Sequence, residues 1–102
     1  MDERIVVWTE TAARQRREIL KYWIAKNKST KYAEKLIKLT AKRIKVIVSS
    51  PTAFKLTTHP ETRESAMGNF SIYYKITNHQ IIITAFWDNR QDPKKLLDIL
   101  TK

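Results

Sequence analysis

RESAMGNFSIYYKITNHQIIITAFW, residues 63–87, is the stretch whose reading decides the fold. Residues 70–77 alternate. Phe70, Ile72, Tyr74 and Ile76 point one way, and Ser71, Tyr73, Lys75 and Thr77 the other, the period of a strand. Gly68-Asn69, with the chain's only glycine, reads as the turn before it, and Asn78-His79 as the turn after it. Residues 80–87 (QIIITAFW) are the most apolar run and are expected to be central in a sheet. Residues 63–67 (RESAM) supply a third strand. Strands joined by turns this tight must be antiparallel.

Upstream the period changes. Residues 4–8 (RIVVW) are β-branched and aromatic and read as a strand. Thr9 stands where a helix N-cap belongs, with Glu10 placed to favour the helix dipole. Over residues 12–25, Ala12, Ala13, Ile19, Leu20, Trp23 and Ile24 trace a helical stripe, with Arg14, Arg16, Arg17 and Lys21 mainly outside it. KNKST (residues 26–30) interrupts the pattern and offers Ser29 or Thr30 as the next cap. A second helix, residues 30–48, has Ala33, Leu36, Ile37, Thr40, Ile44, Ile47 and Val48 as its stripe. Ser49, Ser50 and Pro51 end it, since proline disfavours helix in the residue before it.

The two helices form a hairpin able to cover one sheet face. Residues 54–56 read as a short strand or an extended loop, and His59-Pro60-Glu61 as a turn. Asp92-Pro93 marks a helix start, and residues 94–100 form a short helix with Leu96, Leu97 and Leu100 on its apolar side. The expected architecture is α+β. An N-terminal strand and helical hairpin pack on a mainly antiparallel sheet of about four strands, followed by a short C-terminal helix. All 102 residues are read as one domain.

The charge is uneven. Residues 1–50 hold thirteen basic and five acidic side chains, against seven and five in residues 51–102, which sum to the net +10. Such a field attracts polyanions: nucleic acid, a membrane surface or an acidic protein segment. The chain has no cysteine, which excludes disulfides and thiolate metal sites. Its opening, MDERIVVW, has an apolar run too short for a signal peptide or a membrane span, so a soluble, cytoplasmic protein without membrane partners is the default expectation.

One glycine cannot make a phosphate loop. His59 and His79 sit in predicted turns without partners at metal-ligand spacing, so no metal and no cofactor is expected, and both read as exposed. Ser49, Ser50 and Ser65 lack a histidine and an orienting acid. What remains is a set of cations and a phenol near the sheet: Lys55, Arg63, Tyr73, Lys75 and Arg90. Metal-free RNA cleavage needs a base for the 2′-hydroxyl, cations for the phosphorane and an acid for the leaving oxygen. These residue types supply such parts where they converge, and Lys55, Arg63, Tyr73 and Arg90 are the candidate catalytic set. Periodicity alone reads Tyr73 and Lys75 as the solvated face of a strand. Trp8, Trp23 and Trp87 are positioned for core packing rather than base stacking.

In their order, three stretches resemble the RelE/ParE superfamily of toxins, and the resemblance covers nearly the whole chain. They are IVVWTETAARQRREILKYW, RESAMGNFSIYYKI and FWDNRQDPKKL. It implies a type II toxin–antitoxin toxin of plasmid-stabilisation type, inhibiting growth and held inactive in a hetero-oligomer by a cognate antitoxin with an acidic segment. Members either cut mRNA on the ribosome or block DNA gyrase. Arg63 matches the family arginine before the glycine turn, Lys55 lies where a catalytic lysine can occur, and Tyr74 matches a tyrosine expected to be partly core. Ser71 stands where many nuclease members carry arginine, and no tyrosine or histidine follows Arg90. These departures favour ParE-like action on gyrase over a RelE-like mRNA endonuclease, with an inactive binding or regulatory member as the third reading. Arg14, Arg17, Lys21, Lys75 and Arg90 are the candidate contacts to target or antitoxin.

Overall fold

The computed structural model describes the backbone of residues 3–100, and the side chains of these except 93 and 97–99. The element order is β1 (Ile5–Trp8), α1 (Glu10–Asn27), α2 (Lys31–Ser49), β2 (Lys55–Leu56), β3 (Arg63–Met67), β4 (Phe70–Ile76), β5 (Gln80–Asp88) and α3 (Pro93–Leu100). The strands form one sheet in the order β1-β5-β4-β3-β2. β2, β3, β4 and β5 run antiparallel to their neighbours, and β1 joins β5 in parallel. The α+β expectation holds, with five strands rather than about four. β5 is interior, but β4 takes the middle place.

The local signals act as read. Thr9 caps α1, its side chain accepting from the Ala12 amide at 3.1 Å. Thr30 is the N-cap of α2 without a side-chain capping bond; Ser29 Oγ accepts from the Lys31 amide instead. Gly68 has φ +64°, a left-handed conformation that glycine adopts without strain. Asp92 Oδ1 accepts from the Lys94 amide at the start of α3. No described helix is long and apolar enough to cross a membrane.

The hairpin covers one sheet face. Ala12 and Ile19 of α1 and Leu36 and Ile47 of α2 pack with Phe70, Ile72, Tyr74, Ile81, Ile83 and Phe86. The Tyr74 hydroxyl donates to the Pro51 carbonyl at 2.6 Å, so its ring is fully buried without an unsatisfied polar group. Arg43 of α2 donates to Ser65 Oγ at 2.9 Å and to the Ala66 carbonyl, tying the hairpin to β3.

The second face is not left to solvent. Leu96 and Leu100 of α3 pack on Tyr73, Ala85 and Trp87. Leu97, read onto the same apolar side, has a side chain outside those described. Tyr73 is therefore only 7% exposed, which corrects its reading as a solvated strand residue. Lys75 is half-buried, and so is His59, which had read as an exposed turn residue. Trp87 is buried in this second cluster, while Trp8 and Trp23 are half-buried against the first.

Ile72 lies in β4 with no exposure. Ile72→Ala is expected to destabilise the fold by about 2–5 kcal/mol through lost burial and the cavity left behind, as measured by chemical denaturation.

Candidate functional site

β5 outlasts β1. The parallel ladder ends at Trp8↔Ile83, and the Thr9 amide donates once more to the Ile83 carbonyl. Beyond it β5 bulges: Tyr73 pairs with Ala85 and Tyr74 with Ile83, which leaves Thr84 as the extra residue. The exposed edge is taken over by a side chain, as Gln15 Oε1 of α1 accepts from the Phe86 amide at 2.9 Å. A groove of about 750 Å³ opens between α1 and this last stretch of β5.

Its wall is aromatic and its rim cationic. Tyr22 and Trp23 meet edge to face at 5.2 Å, and Trp23 lies 5.0 Å from Tyr32. Arg90 stacks over Trp23 at 4.9 Å and Phe70 at 5.7 Å, while Lys26 sits 5.0 Å from the Trp23 ring. Arg90 also grips Asp88 with two hydrogen bonds, at 2.8 and 2.7 Å. Those bonds hold the Asp88 carboxyl below its usual range despite burial. Arg14 and Glu18 complete the rim. Gln15 Nε2 and Trp23 Nε1 are buried donors without a partner among the described residues. Tyr22, by contrast, is 57% exposed.

A different network lies on the second face. Ser71 Oγ donates to Glu64 Oε2 at 2.8 Å, and the Tyr73 hydroxyl donates to the same oxygen at 3.2 Å. Asn89 Nδ2 donates to Ser71 Oγ at 3.0 Å. Burial first, and then the Glu64 charge and hydrogen bond, push the Tyr73 phenol up to about 12. Among the described residues, no three histidine, aspartate or glutamate side chains gather as a metal would need.

The four candidate catalytic residues occupy different places. Arg63, opposite Tyr74 on the hairpin face, donates to the carbonyls of Thr52 and Phe54. Lys55 is exposed on the edge strand opposite Glu64, and Tyr73 lies next in that row on the second face. Arg90 is at the far end of β5. The binding candidates divide too. Arg14 and Arg90 rim the groove, Arg17 and Lys21 are exposed on α1, and Lys75 lies on β4 opposite Ile82.

Sequence reading missed Gln15, Tyr22, Lys26, Asp88 and Glu64. For Gln15 a signal existed: it is a polar residue at the helical spacing of Ala12 and Ile19, inside the apolar stripe. For Glu64 there was none, since its partners Ser71 and Tyr73 are brought to it by the pairing of β3 with β4.

The family described as "ParE toxin of type II toxin-antitoxin system, parDE" matches residues 6–93. No curated protein matches the chain. Among solved structures, the chain is similar to one from the chromosomal ParDE TA system of P. aeruginosa, with a TM-score of 0.70 and 18% identity over 82% of this chain and 94% of that one. At that identity the similarity speaks for the fold.

Glu64→Gln is expected to lower the Tyr73 pKa from about 12 while leaving it above the ordinary 10.0, because burial is the larger cause. Phenolate absorbance against pH, with Tyr73→Phe subtracted, checks this.

Proposed function

The chain belongs to the ParE toxin family of type II toxin–antitoxin systems, and from this premise we propose a growth inhibitor that acts by binding DNA gyrase rather than by cutting RNA. The observation that carries this reading is the placement of Lys55, Arg63, Tyr73 and Arg90. Arg63 and Arg90 are committed to main-chain carbonyls and to Asp88. Tyr73, with its phenol pushed up to about 12, is a weak proton donor and is almost wholly protonated near neutral pH, so it makes a poor base. Where nuclease relatives are expected to carry arginine, Ser71 instead holds the Glu64 carboxylate. A carboxylate there opposes the charge a phosphorane develops. Gyrase as target places the action in the cytoplasm.

The groove beside α1 suits the antitoxin. Its aromatic and arginine side chains are the types that anchor interfaces. Its cations and unpaired donors match an acidic, partly helical segment. Docking there gives a toxin–antitoxin hetero-oligomer and covers Arg14, Lys26 and Arg90.

Induced expression is expected to arrest growth and to trap gyrase–DNA complexes while transcripts stay intact by primer extension. Codon-positioned cuts that vanish in Arg63→Ala would establish the endonuclease instead, and unchanged growth would mark an inactive member. Tyr22→Ala is expected to weaken antitoxin binding about 30-fold, roughly 2 kcal/mol, by calorimetric titration. An unchanged affinity removes the groove as the docking site.

A further inference from the structure

The outer face of α2 carries a feature that lies outside the groove beside α1. Lys31, Lys35, Lys38, Lys42 and Lys45 follow one another at intervals of four, three, four and three residues. That spacing keeps all five on one side of a helix. The buried residues Ala33, Leu36, Thr40 and Ile47 lie on the opposite side, and all five lysines are exposed. The fourteen steps from Lys31 to Lys45, at about 1.5 Å each, make a straight row of about 21 Å. Glu34 is the acid at its edge, and Thr30 Oγ1 donates to its carboxylate at 3.4 Å. Among the described residues the one ion pair is Arg90–Asp88, so none of the five ammonium groups is in an ion pair with a described carboxylate. Adjacent rungs are like-charge neighbours at i,i+3 and i,i+4, an arrangement that repels and that a polyanion relieves.

We propose that this lysine ladder binds the phosphate backbone of duplex DNA without reading its sequence, a contact beyond the gyrase reading and independent of it. The side-chain chemistry favours a duplex over the other polyanions. Lysine ammonium groups are point charges that suit phosphates but lack the planar fork that reads guanine edges. No aromatic ring stands among the rungs to stack unpaired bases, which single-strand binders use. The tryptophan, tyrosine and arginine anchors of a peptide site gather in the groove beside α1, while the exposed side chains beside the ladder include Glu34, Leu39 and Val46.

The test is fluorescence anisotropy of a labelled random-sequence duplex with the purified full-length chain across a salt series. Five phosphate contacts give a slope of log affinity against log salt of about −4.5, or about a 500-fold loss between about 50 and 200 mM salt. The triple variant Lys35→Gln, Lys38→Gln, Lys42→Gln is expected to flatten the slope to about −1.8, about a tenfold loss over that range. The triple variant Arg14→Gln, Arg17→Gln, Lys21→Gln removes the same charge from α1 and is expected to leave the slope near −4.5. Circular dichroism confirms that both variants stay folded, as exposed positions allow. No binding at low salt overturns the proposal, as do equal losses in the two variants, which would mean diffuse attraction. A preference for single-stranded RNA overturns it too. So does an α2 variant that loses antitoxin affinity but keeps duplex binding.

Discussion

The first five residues of β4 have no route to water on either side. Phe70, Ile72 and Tyr74 lie under the hairpin, while Ser71 and Tyr73 lie on the face that α3 approaches. Its main-chain groups are paired with β3 and β5. A strand so placed must satisfy each polar side chain internally, because an unpaired buried donor or acceptor carries its full desolvation penalty. Hence Tyr74 reaches the Pro51 carbonyl, and Ser71 and Tyr73 share the Glu64 carboxylate. The loop after α2, the position of β3 and the docking of α3 are all held to those partners.

The bulge at Thr84 follows from the same demand. β5 pairs with β1 only as far as Ile83, then continues to Asp88 with β4 as its one neighbouring strand. One extra residue re-aims the strand, and Gln15 supplies the acceptor that β1 no longer offers. The groove beside α1 is the space created where a strand ends and a helix only partly replaces it. Its aromatic wall is held by cations above the rings, and Arg90 is held in turn by Asp88. The surface suited to a partner is therefore a by-product of how the sheet edge is closed.

Charge is distributed by element. The hairpin carries most of the excess positive charge on its outward faces, while the second sheet face gathers a carboxylate, hydroxyls and an amide around Tyr73. A field of one sign on the hairpin draws polyanions to it. The second face, with Glu64 at its centre and α3 packed on it, does not offer a phosphate the same welcome.

Local order was legible in the sequence because its causes are local. Alternation over residues 70–77, the Gly68 turn, the Thr9 and Asp92 caps and the two helical stripes each depend on neighbours within a few positions, and the structure keeps them, except that Ile24 and Ile37, read into the stripes, are exposed. Ser71 in place of an arginine was visible as well. The face that Tyr73 occupies was readable, but not what covers that face, since period two says which residues share a side and nothing about a helix arriving twenty residues later. Whether Lys55, Arg63, Tyr73 and Arg90 converge depended likewise on register between strands distant in the chain. So the chain alone determined a basic α+β domain with a toxin-like order of elements. Only tertiary packing decided that its cations are dispersed and its phenol buried, because solvation and distance are properties of what meets across the sheet.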